Sequence, residues 1–364
     1  MQARRVERIV THEQPHLDEI FAVWLLRKFG KKMFPGIDEA KIIFTGNGGR
    51  LPEDVSAEDL EKGGILPIGT CGGRLDEHPG FDAKGKENEC ASTLVAKCLG
   101  IDDDPALKGI LQFVLKGDTK KGTGHPFDLA EITKSLHRQY PKRQEDVIKW
   151  TTVGIEAKYR DQLRFLGETK KEFEQNAEVE SISGPGGRTL KMVTIVTDNE
   201  QMNGFARSRH GGEASIVIQK GFSGRMKGNV QIFTNAKHGL TLYDVVQMLR
   251  IAEQEKKRKV VTTNWEELAK EGGVKGAEEW WFFPRGGMIL NGSLTAKDVP
   301  PTKIPLEEIQ MMVRLGVNPN AFEPERAPSC EQGRCSSSRT DQCPWYKWGL
   351  HRCRKIRFKT RQNS

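Results

Sequence analysis

Residues 8–29 read RIVTHEQPHLDEIFAVWLLRKF, a short apolar run followed by a longer run whose apolar residues have helical spacing. Residues 8–11 predict a buried strand, and residues 18–29 predict an amphipathic helix that ends at Gly30. The alternation continues with strands predicted at 41–45 and 65–69 and helices predicted at 87–99 and 105–115. Alternating strands and helices are typical of a parallel sheet, and such sheets bind ligands at the carboxyl ends of their strands.

A second α/β region follows a long charged segment. Residues 144–176 have a helical pattern with few breakers, and strand-like runs return at 190–197, 214–219 and 229–234. Further helices are predicted at 242–255 and 306–315. The predicted fold class is α/β, with a parallel-sheet domain at 1–143, a connecting helical segment at 144–182, a second and smaller α/β lobe at 183–324 and a Cys-rich tail at 325–364.

The composition is that of a globular chain. Of its 364 residues, 36% are hydrophobic and 29% are charged, which is enough apolar material for one large domain or two ordinary ones. No stretch approaches the roughly 18 apolar residues that a membrane span needs, and no apolar run follows the arginines near the N-terminus. We therefore expect a soluble, cytoplasmic protein that does not associate with membranes.

Three segments place carboxylates beside imidazoles or lysines where predicted strands or helices end. Their candidate metal ligands are His12, His16, Asp18, Asp76, Glu77, His78 and Asp118, and Lys120 and Lys121 follow the last of these. Mixed nitrogen and oxygen ligands suit Mn, Fe, Co or Zn better than Mg, which prefers oxygen alone. A single Asp before a helix is more often only an N-cap, so the metal hypothesis depends on the three segments together.

The order and spacing of these residues resemble the DHH phosphoesterase superfamily, which includes RecJ-type exonucleases, family II inorganic pyrophosphatases and Myg-type metal-dependent hydrolases. Thr11-His12 with His16-Leu17-Asp18-Glu19 is most similar to the Myg-type branch, and Asp76-Glu77-His78 stands where the family has Asp-His-His. The resemblance implies a two-lobed enzyme with a manganese-type dinuclear site. Its implied catalytic residues are Asp18, Asp76, His78 and Asp118.

The chain departs from the family pattern in the middle segment and in the second lobe. Glu77 replaces an expected histidine, so it could ligate a metal or the site could hold a single metal. Cys71 stands near the position of an expected bridging aspartate, either as a softer ligand or beside a missing one. The second lobe matches the family's Gly-Gly-Gly-His substrate loop only in part. The partial matches contain Arg207, Arg209 and His210 in one segment and Arg285 in another. These residues are either phosphate clamps or ordinary turn residues.

The C-terminal segment is rich in cysteine and in positive charge. Residues 342–364 contain seven lysines or arginines and no acid, in a chain whose net charge is +8. Cys330, Cys335, Cys343 and Cys353 supply the four thiolates of a zinc site or a [4Fe-4S] cluster, or they are free or redox-active thiols. The interleaved aromatics Trp345, Tyr346 and Trp348 are typical of single-strand binding or of a cover for the metal site.

Together these patterns predict a metal-dependent phosphoesterase with manganese or another divalent metal in the cleft. The substrate is expected to be phosphorylated and to be nucleic acid, as for a nuclease or an oligonucleotide-processing enzyme that cleaves a phosphodiester or a phosphoanhydride. Two alternatives stay open. One is a non-catalytic nucleic-acid-binding or regulatory protein on a degenerate DHH scaffold, and the other is a small-metabolite phosphohydrolase.

Overall fold

The computed structural model describes residues 5–46, 55–78, 88–119, 125–293, 296, 298–318 and 332. The chain divides into two compact units, with the boundary between Leu166 and Gly167. Lys120, Lys121 and the four cysteines of the tail, Cys330, Cys335, Cys343 and Cys353, lie outside the described residues. None of the helices within the described ranges is both long and apolar enough to cross a membrane.

The first unit is built on a parallel three-stranded sheet, in the order β2-β1-β3. Its strands are β1 (Arg8–His12), β2 (Lys41–Thr45) and β3 (Ile65–Pro67). Its helices are α1 (Leu17–Phe29), α2 (Ala57–Lys62), α3 (Ala91–Leu99), α4 (Pro105–Thr119), α5 (Leu129–Gln139) and α6 (Gln144–Arg164). The predicted parallel sheet is confirmed, because β1 pairs in parallel with both neighbours.

Helix α1 is central to this unit. Ten consecutive residues, from Leu17 to Leu26, are buried, so the helix is covered on all sides rather than amphipathic. The buried positions include Asp18 and Glu19, which are carboxylates in the apolar core of the unit. Burying a carboxylate is costly unless it is hydrogen-bonded, protonated or bound to a cation.

Helix α6 packs on α1 and belongs to the first unit, which the predicted boundary at 143 did not anticipate. Glu156 of α6 accepts hydrogen bonds from Trp24 Nε1 at 3.0 Å and from Lys28 Nζ at 2.9 Å. Tyr159 of α6 stands edge-to-face against Trp24, with ring centroids 5.2 Å apart. The charged surface of α6 suggested a solvated connector, but its inner face completes the core.

A π-helical turn at Phe165–Thr169 spans the boundary, and α7 (Lys170–Asn176) is the first helix of the second unit. Its strands are β4 (Glu178–Ser183), β5 (Thr189–Val196), β6 (Ile216–Lys220), β7 (Val230–Thr234), β8 (Trp281–Phe283) and β9 (Met288–Leu290). The remaining helices are α8 (Met202–Arg207), α9 (Tyr243–Lys256), α10 (Trp265–Leu268) and α11 (Leu306–Val317). The connecting segment predicted to be helical to 182 therefore ends in a strand.

This unit has a mixed six-stranded sheet in the order β4-β5-β6-β7-β9-β8. Only β5 and β6 are parallel, and the other neighbours are antiparallel. Helices α9 and α11 cover one face and form the main core with Ile216, Ile218 and Ile232. On the other face α8 packs near β5 and β6, whereas Trp281 of β8 stays 55% exposed. Part of this face is therefore open.

Candidate metal centre

The candidate site lies where β1 ends and α1 begins. His16 is the N-cap of α1, and its backbone N–H donates to Glu19 Oε2 at 2.7 Å, as in a capping box. The other carboxylate oxygen of Glu19 lies 3.0 Å from Nε2 of His12, the last residue of β1. A single glutamate therefore links the end of the strand to the start of the helix.

Glu19 and His12 stabilise each other's charged forms. Burial favours the protonated form of Glu19, but the hydrogen bond from His12 and the nearby imidazoles outweigh burial and hold its pKa below the ordinary value. Burial lowers the pKa of His12, but Glu19 more than compensates and raises it to about 9. The backbone carbonyl of Glu13, 2.7 Å from His12 Nδ1, orients the ring so that Nε2 faces the site.

Asp18 is fully inside the unit and lies at the N-terminus of α3. Its carboxylate accepts hydrogen bonds from the N–H of Ala91 at 2.7 Å, the N–H of Ser92 at 2.9 Å and the hydroxyl of Ser92 at 2.5 Å. Burial and the neighbouring Glu19 nevertheless raise the pKa of Asp18 to about 7. Asp18 therefore stabilises the N-terminus of α3 and also lies beside a second buried carboxylate, that of Glu19.

Glu77 is the least satisfied acid in the site. Its side chain is 9% exposed, and Oε2 is buried with no hydrogen-bond partner among the described residues. Burial and the negative charge of Asp18 raise the pKa of Glu77 to about 8. Ligand oxygens of Asp18, Glu19 and Glu77 all lie within 4.8 Å of one another, and we call these three residues the carboxylate cluster.

Asp76 and His78 extend the site in the loop after β3. Asp76 Oδ2 accepts from the N–H of Gly72 at 2.8 Å, and its Oδ1 lies 2.9 Å from His78 Nδ1. These bonds hold the loop in shape, and among the described residues Nε2 of His78 makes no hydrogen bond. Gly69, at a φ of +59°, lets the backbone approach closely, because a Cβ there would lie 2.9 Å from Cγ of Glu19.

The imidazoles complete two further groups with metal-ligand spacing. His12, His16 and Glu19 form one, and Asp76, Glu77 and His78 form the other. Each shares a residue with the carboxylate cluster, so the three groups make one continuous constellation. The structure brings together six of the seven predicted metal ligands and adds Glu19, which the sequence reading did not assign. Its place at the third position of a helix indicated only a capping role.

Asp118 lies near this constellation but outside its groups. It belongs to α4 and not to the predicted loop, because the helix continues through Gly117 to Thr119. With His16 and Asp18 it lines a cavity of about 140 Å³, beside Lys134 of α5. Burial and Glu19 raise the pKa of Asp118, against the opposing effect of the imidazoles.

The other predicted site residues do not join this constellation. Cys71 belongs to none of the candidate ligand groups of the described residues, and burial raises its thiol pKa, which disfavours the thiolate. Arg207, Arg209, His210 and Arg285 lie in the second unit. Arg207 donates to the backbone carbonyl of Thr234 at 3.0 Å, and Thr234 N donates to Gly287 O at 2.8 Å, so the end of α8 and the turn that follows Arg285 both contact the end of β7.

The constellation fits a divalent metal on physical grounds. Three carboxylates share one buried space, one of their oxygens has no donor, and three imidazoles surround them. Such an arrangement needs protons or a cation to balance it. No family model matches the chain, and a search of curated proteins finds no match for it either.

Proposed function

We propose that the first unit is a metal-dependent phosphoesterase of the DHH type, which hydrolyses a phosphodiester or a phosphoanhydride. The observation that carries the proposal is the carboxylate cluster, with its buried and unpartnered Glu77 Oε2. The motif resemblance of residues 11–78 supports the phosphoester chemistry.

The cluster favours a cation over three bare carboxylates. Two unit charges 4.8 Å apart repel by about 3 kcal/mol at an effective dielectric constant of about 20. This repulsion favours protonation within the cluster of the metal-free protein, in keeping with the raised pKa values of Asp18 and Glu77. A divalent metal removes this repulsion and gives Glu77 Oε2 a partner.

The donor set favours manganese or a similar transition metal. The constellation offers nitrogen from His12, His16 and His78 together with carboxylate oxygens. Magnesium prefers oxygen ligands and keeps much of its water, whereas imidazole suits Mn, Fe, Co and Zn. When bound, such a metal polarises a phosphoryl oxygen and lowers the pKa of a bound water.

Asp118 is the residue of this chain best placed to accept a proton from the attacking water. It lines the small cavity next to His16 and Asp18, and no hydrogen bond occupies its carboxylate within the described part of the chain. Its raised pKa makes it a better base than an ordinary aspartate. Lys134, which pairs with Glu131 at 2.8 Å, supplies a positive charge in the same cavity for a phosphate oxygen.

Metal binding and turnover test the proposal directly. The full chain is stripped with EDTA and titrated with Mn²⁺ by calorimetry, and hydrolysis of bis(p-nitrophenyl) phosphate, a short single-stranded oligonucleotide and pyrophosphate is then followed. We expect saturable Mn²⁺ binding and metal-dependent release of product from at least one substrate. Glu77→Gln should lose both Mn²⁺ binding and product release. The control Glu39→Gln, at an exposed ion pair with Arg5, should retain both activities. Metal-independent turnover, or none on any substrate, would contradict it.

Asp118→Asn separates proton transfer from metal binding. If Asp118 is the base, this variant keeps its Mn²⁺ affinity and loses about 10²–10⁴-fold in kcat. A parallel loss of Mn²⁺ affinity would instead make Asp118 a metal ligand, as the resemblance implies.

A second candidate function follows from the bonding of Asp18. Both its carboxylate oxygens accept hydrogen bonds from α3, which is the bonding of a structural cap. This favours a nucleic-acid-binding protein on a scaffold that no longer turns over substrate. The same substrate panel distinguishes the two functions, because the second predicts oligonucleotide binding without hydrolysis under any metal.

A further inference from the structure

The second unit contains a larger cavity on the open face of its sheet. Its volume is about 490 Å³, within the range of small-molecule sites. Gln219 of β6, Gln231 and Phe233 of β7, and Asn203 of α8 line it, with Arg225 in the loop after β6. We call this cavity the acceptor pocket.

Two glutamines in this pocket have fixed amide orientations. Gln219 Nε2 donates to the carbonyls of Thr197 at 3.4 Å and Asn199 at 3.2 Å. Gln231 Nε2 donates to the carbonyl of Gly292 at 3.2 Å. Because these neighbours are all acceptors, each amide must turn its nitrogen to them, and no donor among the described residues reaches either Oε1.

A third acceptor lies on the helix side. Asn203 Oδ1 is buried and has no hydrogen-bond partner in the described part of the chain. An unpaired buried amide oxygen costs about 1–3 kcal/mol. The three side chains that bear these amide oxygens line a single cavity, and a ligand rich in N–H groups suits them.

The remaining lining favours a planar ring that bears a phosphate. Phe233 is half-buried, and the guanidinium carbon of Arg207 lies 5.7 Å from its ring centroid. Arg225 is exposed, and no carboxylate of the described residues pairs with it. Asp198 accepts from the backbone N–H groups of Phe222 and Ser223, which fixes the loop that carries Arg225. An aromatic surface beside a guanidinium suits a nucleobase and its phosphate.

We propose that the acceptor pocket binds a nucleotide whose base carries an exocyclic amino group, with guanine preferred. Guanine presents three N–H bonds on one edge, from N1 and the 2-amino group, to the oxygens of Asn203, Gln219 and Gln231. Adenine and cytosine present two, and uracil presents one. Arg225 pairs with the phosphate. The pocket lies wholly within the second unit and does not depend on the metal chemistry of the first.

The test is binding of mononucleotides to the full chain in EDTA, measured by calorimetry. EDTA prevents metal-dependent hydrolysis, so the result is independent of the proposed phosphoesterase activity. We expect GMP to bind most tightly, IMP several-fold more weakly because it lacks only the 2-amino group, and UMP at least about tenfold more weakly than GMP. Spermidine, a cationic ligand that could also satisfy the acceptors, should not displace GMP.

Variants of the pocket glutamines test whether GMP binds in the acceptor pocket. Gln219→Met and Gln231→Met remove an acceptor at nearly constant volume, and each should weaken GMP binding about three- to tenfold. Gln139→Met, at an exposed glutamine of α5, is the matched control and should leave it unchanged. If a pocket variant misfolds, amide hydrogen exchange is measured on the parent protein instead. GMP must then slow amide hydrogen exchange in residues 216–234.

Several outcomes would overturn the proposal. They are the absence of GMP binding at millimolar concentration, equal binding of UMP and GMP, displacement of GMP by spermidine, and unchanged GMP affinity in both glutamine variants.

Discussion

At the scale of single residues, the buried carboxylate of Glu77 couples stability to metal binding. With Oε2 unpartnered and Asp18 nearby, a negative charge on Glu77 is unfavourable in the metal-free fold, so folding near neutral pH requires this side chain to take up a proton. Glu77→Gln removes that charge at constant shape, so we expect the free energy of unfolding of the metal-free protein to rise by about 1–2 kcal/mol while Mn²⁺ affinity falls.

Urea unfolding in EDTA and calorimetric Mn²⁺ titration measure these two effects of Glu77→Gln. Glu39→Gln, at the surface, should change the free energy of unfolding by less than about 0.5 kcal/mol. A metal-free Glu77→Gln protein that is less stable than the parent would show that the carboxylate is satisfied without a metal.

Stability of the metal-free protein should fall as pH rises. Folding raises the pKa of Asp18 from 3.8 to about 7 and that of Glu77 from 4.5 to about 8, so the folded state binds these protons more tightly than the unfolded state. The free-energy cost of these two raised pKa values is absent below pH 4. It develops as pH rises towards 8. His12, raised from 6.5 to about 9, adds stability below pH 6.5 that is lost through pH 9. All three groups therefore act in the same direction.

Urea unfolding in EDTA at pH 5.5, 7 and 8.5 measures this pH dependence. Glu77→Gln should reduce the slope, and saturating Mn²⁺ should stabilise more at pH 8.5 than at pH 5.5, because ligands bind as deprotonated groups. A metal-free protein that gains stability from pH 5.5 to 8.5 would rule out the proposed cluster electrostatics.

At this scale the sequence identified the types of most site residues but not their partners. His12, Asp18 and Glu77 stood out because acids and imidazoles clustered after predicted strands. The bonds from Asp18 to Ala91 and Ser92 cross more than 70 residues of sequence, so no local pattern could reveal them. The role of Glu19 was hidden for a related reason, since its contact with His12 depends on the turn between them.

At the scale of elements, Asp18 joins α1 to α3. Asp18→Ala removes a buried carboxylate that satisfies two backbone N–H groups and the Ser92 hydroxyl. We expect a loss of about 3 kcal/mol, more than the roughly 1 kcal/mol typical of an N-cap, because the freed donors stay buried. The matched variant is Asp128→Ala, at the N-cap of α5, whose Oδ1 accepts from Glu131 N at 2.9 Å.

Equilibrium unfolding of both alanine variants in EDTA, read by circular dichroism, gives the comparison. Equal losses at the two caps would mean that the burial of Asp18 contributes nothing beyond ordinary capping.

The elements predicted correctly are those whose apolar runs are long or continuous. Strands β1 and β2 and helix α9 match their predicted ranges to within one residue. Strands β8 and β9 have three residues each, too short for a pattern. Strand β9 forms by pairing with β7, which lies far away in the sequence, and β8 pairs with β9. Helix α4 continues past its predicted end to Thr119, although Gly117 costs about 1 kcal/mol relative to alanine inside a helix.

At the scale of the whole molecule, the two proposed sites lie in different units. The metal constellation draws every residue from the first unit, and the acceptor pocket draws every residue from the second. Variants in one site should therefore leave direct binding at the other unchanged. Composition alone allowed one large domain or two ordinary ones, and the position of the boundary required the contacts of α6.

The position of the boundary between the two units can be tested with two fragments of the chain. A fragment of residues 1–166 keeps α6, whereas residues 1–143 lack it. Without α6 the fragment loses Ile148, Ile155 and Tyr159 from the core and the Glu156 bonds to Trp24 and Lys28. Burial of each large apolar side chain contributes about 1.5–3 kcal/mol, so the loss approaches the whole stability of a typical domain.

We therefore expect residues 1–166 to fold and bind Mn²⁺, and residues 1–143 to do neither, as measured by circular dichroism and calorimetry. Glu156→Gln in the longer fragment is the control. It keeps the apolar core and weakens only the charged pairing of Glu156 with Lys28 and Arg160, so it should fold and bind Mn²⁺ with unchanged affinity. Cooperative unfolding of residues 1–143 would place α6 outside the core and restore the sequence-based boundary.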